Sequence, residues 1–66
     1  MQNGSLTPLR KKILALMKEK GPQTVNDLVV NLGITNGSSR SILVKMREAG
    51  HIKRIGPGKY QLLESD

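Results

Sequence analysis

The sequence predicts a small α+β domain in which three short helices lead into a C-terminal β-hairpin, within a two- to three-stranded sheet. Three observations predict it. Apolar residues recur at helical spacing around Leu9–Met17, Val25–Leu32 and Ile42–Met46. Each block follows a Thr or Ser able to cap a helix and closes near a glycine. Beyond Gly50 the pattern changes, and two strand-like runs flank Gly56-Pro57-Gly58. Sixty-six residues hold one domain, expected over residues 7–63. A domain of that size hides only about 60% of the surface its unfolded chain exposes, so its core must be continuous. Cysteine is absent, so neither disulfides nor thiolate ligands support it.

Met1 to Leu6 is polar and reads as a disordered tail; Glu64-Ser65-Asp66 reads as a polar end. The first helix starts at Thr7-Pro8, since proline at the first helical position lacks only a donor that would go unused. Leu9, Ile13, Leu16 and Met17 draw one apolar stripe, Lys18 and Lys20 suit the negative helix end, and Gly21-Pro22 stops the helix. Gln23 is placed to bridge to the small sheet. Thr24-Val25-Asn26-Asp27 is a variant capping box, with Asp in place of Glu or Gln. Val25, Leu28, Val29 and Leu32 form the inner face of the second helix, closed by Gly33. The third helix turns Ser39, Ile42, Leu43 and Met46 inward and ends at Ala49-Gly50. It opens at Asn36, capped by Thr35, or a turn later with Ser38 as its cap, because Asn-Gly favours turns. The hairpin strands are expected over His51–Ile55 and Lys59–Leu63. Pro57 and Gly58 suit positions i+1 and i+2 of a type II turn. Tyr60 and Leu62 share a face, whereas Ile52 and Ile55 have opposite parity, which predicts a twisted, bulged or half-exposed first strand.

Eleven Lys and Arg against five Asp and Glu give a net charge of +6. That balance favours a polyanionic partner. No run is long enough to span a bilayer and no signal peptide is visible, so no membrane role is expected. The lack of cysteine suits a reducing cytoplasm.

Several stretches resemble the winged helix-turn-helix superfamily of DNA-binding domains. They are Gly21–Leu28, Leu32-Gly33-Ile34-Thr35, Ser38-Ser39-Arg40-Ser41-Ile42-Leu43 and Met46–Ile52. The resemblance covers residues 7–63 and is specific for fold rather than subfamily. Ser39 stands where a larger apolar residue is common in that superfamily, and Gly37 falls within the start of its recognition helix. The resemblance implies a small stand-alone transcriptional regulator that binds double-stranded DNA sequence-specifically. Its third helix would enter the major groove, and its wing would meet phosphates or the minor groove. The amides from Val25 to Asp27, after Thr24, look like the place where this family anchors a phosphate. Such a protein would be cytoplasmic and nucleoid-associated.

At about 100° per residue, the outward face of the third helix carries Gly37, Ser41, Val44 and Glu48. Arg40 and Arg47 flank one side, and Ser38 and Lys45 the other. Asn36, Ser38, Arg40 and Ser41 are donors able to reach base edges; Gly37 allows close approach, and an exposed Val44 would meet a thymine methyl. The wing is expected to protrude, with Lys53, Arg54 and Lys59 on phosphates. Arg10-Lys11-Lys12 reads as a solvated face. The lone aromatic Tyr60 argues against single-strand binding by stacking, and His51 reads as a strand residue.

No catalytic set, metal site, cofactor or small-molecule ligand is expected. Glu19, Asp27, Glu48, Glu64 and Asp66 show no paired spacing, and the serines lack an evident base. A protein-interaction winged helix and an RNA or non-standard-duplex binder are the alternatives. The basic third helix, with no exposed apolar patch expected beyond Val44 and Leu63, counts against the first. One module buries only about 600–1,000 Å² of protein surface on DNA, so a homodimer or a partner protein on DNA is expected.

Overall fold

Thr7 and Pro8 start the first helix as their chemistry allows. In the computed structural model, which describes residues 7–63, α1 runs Pro8–Lys20. The Thr7 hydroxyl accepts the Arg10 amide at 3.3 Å. The tail expected over residues 1–6 and the polar end at 64–66 lie outside the described residues. A two-residue strand β1 (Gln23–Thr24) follows, then α2 (Val25–Leu32), α3 (Asn36–Glu48), β2 (Ile52–Gly56) and β3 (Lys59–Leu62).

The capping box closes both ways. The Asp27 amide donates to Thr24 Oγ1 at 3.0 Å, and the Thr24 amide donates to Asp27 Oδ2 at 2.9 Å. For α3 the two candidate starts resolve in favour of Asn36, because the Ser38 amide donates to Thr35 Oγ1 at 3.1 Å. Asn36 and Gly37 thus sit in the first turn, where amides have no intrahelical partner to lose and a turn-prone pair is tolerated.

The three helices and the three-stranded antiparallel sheet make a small α+β domain, an order compatible with a winged-helix layout. The strand order is β1-β3-β2, so Gln23 pairs with Tyr60 and Thr24 with Lys59. The core is Ile13, Met17, Leu28, Leu43, Met46, Ile52 and Tyr60, and Leu9, Leu16 and Leu14 of α1 pack around it. Leu14 lies outside the expected stripe and joins because the core wraps more than one side of α1. Ser39 is fully buried, and its Oγ donates to the Val25 carbonyl at 2.9 Å. A small residue there lets α3 approach α2 closely, and its hydroxyl is satisfied in doing so.

The hairpin resolves the parity conflict by a bulge. Pairing passes from Arg54–Tyr60 to Gly56–Lys59, leaving Ile55 as the extra residue. Ile52 is therefore buried while Ile55 is exposed. Gly58 has φ 64°, the positive value a type II turn needs at that place. His51 lies in a bend just before β2 rather than in the strand. There its amide donates to the Met46 carbonyl and its carbonyl accepts from Leu63. The expected protruding tip is instead tied down, because the Val25 amide donates to the Gly58 carbonyl at 3.1 Å. Among the described residues no helix is long and apolar enough to cross a membrane.

Candidate nucleic-acid interface

The buried side of α3 fixes where its remaining residues face. With Ser39, Leu43 and Met46 inward, the exposed surface divides into two flanks. Arg40, Val44 and Arg47 lie toward the sheet, where with Arg54, Val25 and Tyr60 they line a concavity of about 310 Å³. Gly37, Ser38, Ser41 and Lys45 lie toward the start of α1, beside Thr7 and Arg10, in a shallower depression of about 440 Å³. Asn36, Gly37, Ser38, Arg40, Ser41 and Lys45 are all exposed, so none is folded against the body of the protein.

Val44 departs from expectation. It is half-buried, sharing the first concavity with Val25 and Tyr60. Apolar neighbours within the protein therefore account for it without a thymine methyl. Among the described residues the large apolar side chains in the open are Val30 on α2, Ile55 and, as expected, Leu63. Val30 stands on the side of α2 away from the core, and Ile55 is turned out by the bulge.

The three wing cations do not form one cluster. Successive strand residues point to opposite faces, so Lys53 and Arg54 part company. Arg54 faces α3, and its Nε donates to the Gly56 carbonyl at 3.1 Å. Lys53 lines a separate concavity of about 410 Å³ with Lys18, Gly21 and Gln61, at the far end of α1. Lys59 is exposed at the start of β3, paired with Thr24. Thr24 and Lys59 thus stand together although 35 positions separate them in the sequence.

The expected phosphate anchor after Thr24 needs correction. Of the amides from Val25 to Asp27, the first is taken by Gly58 and the last by the Thr24 hydroxyl. The capping box and the hairpin turn thus occupy two of the three amides expected to anchor a phosphate. What Thr24 retains is its hydroxyl hydrogen, since that oxygen acts as acceptor in the cap.

Charge is lopsided over the described residues. All eleven Lys and Arg fall in 7–63, against three acids, Glu19, Asp27 and Glu48. None of those acids lines any of the three concavities. The sequence placed Arg47 beside Arg40 but gave it no role. Seven residues apart, the two sit two turns along one flank, a signal that was available. Its convergence with Arg54 was not, because that depends on how the sheet docks. No known family model matches the chain, and neither a curated protein nor a solved structure matches it.

Proposed function

We propose that the chain is a winged helix-turn-helix protein that binds double-stranded DNA sequence-specifically and regulates transcription. On this reading α3 enters the major groove and the hairpin lies on phosphates or the adjacent minor groove. One observation carries it: Arg40 and Arg47 of α3 share an acid-free concavity with Arg54 of the hairpin. Helix and hairpin therefore offer one continuous cationic surface, which suits the phosphate charge of a duplex. The first turns of α3 add exposed Asn36, Ser38, Arg40 and Ser41, donors of the kind that read base edges. A single copy has few such donors, so working sites would take two copies or a partner protein. The setting would be the cytoplasm, on the nucleoid.

The test is fluorescence anisotropy with a randomised duplex pool at two salt concentrations, followed by sequencing of the bound fraction. Binding should fall steeply with salt and enrich a short motif. Arg40→Ala should change that motif, whereas Lys59→Ala should weaken all duplexes alike. Absence of duplex binding at low salt, or preference for single-stranded RNA over duplex, overturns the proposal.

A further inference from the structure

We infer that the concavity between α3 and the hairpin is a phosphate site, in which Arg47 and Arg54 together hold one phosphate group while Arg40, nearer the start of α3, stays available to bases. Three arginines line this one space and no acidic residue does. Like charges so gathered repel one another. An anion removes that repulsion. The walls are Val25, Val44 and Tyr60, and a partly apolar lining strengthens each charge-assisted contact.

Arg54 is prepared for this role. Its Nε is already held by the Gly56 carbonyl at 3.1 Å, inside a bulged strand. A guanidinium fixed at one nitrogen offers its other donors with less rotamer freedom left to lose. Arg47 approaches from the last turns of α3, so the two cations come from different elements. A phosphate bound between them would also fix the hairpin against the helix. Phosphodiester and free phosphate share this chemistry. The reading under Proposed function supplies the first as the source, but the site itself does not depend on that reading.

The experiment uses the full chain and two probes. In the first arm, pyrophosphate is titrated against chloride at constant ionic strength, with Arg Nε–Hε NMR signals followed. Signals of Arg47 and Arg54 should shift together, and Arg47→Gln or Arg54→Gln should weaken pyrophosphate about tenfold, as loss of one charge-assisted bond predicts. In the second arm, duplex affinity is measured against salt. Each variant should lower the log–log slope by roughly 0.9, and the double variant by about twice that. Lys20→Gln, at the end of α1 and outside the concavity, serves as the control and should leave both readouts unchanged. If duplex binds but both arginine variants keep the wild-type slope, the phosphate site is wrong while DNA binding stands. If pyrophosphate shifts Arg47 and Arg54 but no duplex binds, the site stands with free phosphate as its source and the DNA reading falls. Shifts spread over Arg10–Lys12 and Lys18, unaltered by the variants, overturn the site.

Discussion

The two flanks of α3 share one core and differ in everything they expose. Toward the sheet lie Arg40, Val44 and Arg47, walled by Val25 and Tyr60 and faced by Arg54. Toward α1 lie Gly37, Ser38, Ser41 and Lys45 along a more open depression. The first flank has charge, a floor and a second element opposite, which suits a phosphate fixed between Arg47 and Arg54, with Arg40 as the one residue of that flank proposed to reach bases. The second has short hydroxyls and no Cβ at Gly37, which suits close approach to base edges. On the proposed function, one helix would divide holding from reading. The division follows from which neighbour each flank meets rather than from helix composition alone.

Breaking the platform should have the largest effect. Leu43 is fully buried beneath both flanks, so Leu43→Ala should cost about 2–5 kcal/mol, a large part of what a domain this small possesses. Urea denaturation followed by circular dichroism should show a lower midpoint, and both flanks should lose function together. Ser39→Val tests the spacing of α2 and α3. Overpacking at this buried site should cost about 1–3 kcal/mol and shift Val25, so pyrophosphate binding should weaken with it.

Arg40→Ala should cost roughly 1–3 kcal/mol against the preferred base at one position, with little change at others. Competition binding with single-base variants measures that directly, and a uniform loss would make Arg40 a phosphate contact like Arg47. Gly58→Ala should destabilise by about 1 kcal/mol, because φ 64° strains a residue with a Cβ. Hydrogen exchange at the Val25 amide should accelerate as its bond to the Gly58 carbonyl loosens. Lys53→Ala is the smallest change, within about 0.5 kcal/mol on duplex affinity, because Lys53 faces the end of α1.

Local rules read well in this chain. The Thr7 and Thr24 caps and the turn at Gly58 each depend on residues within three or four positions. Their hydrogen bonds and dihedrals therefore follow from neighbouring residues alone. The inward set Ser39, Leu43 and Met46 was likewise legible from helical spacing. The α3 start was not, since Thr35 and Ser38 are both competent caps and spacing alone does not choose between them; the structure uses Thr35.

The chain's own order of residues determined three helices, a hairpin with a strained-parity strand, and a strongly cationic surface. Tertiary structure alone decided which cations meet: Arg54 beside Arg40 and Arg47, Lys53 on the opposite face, and Lys59 next to Thr24. It also spent the Val25 amide on the wing tip and sheltered Val44. The reason is that spacing fixes direction only relative to an element's own axis. Where that direction leads depends on strand register and on how closely Ser39 lets two helices approach, and both are contacts between residues far apart in sequence.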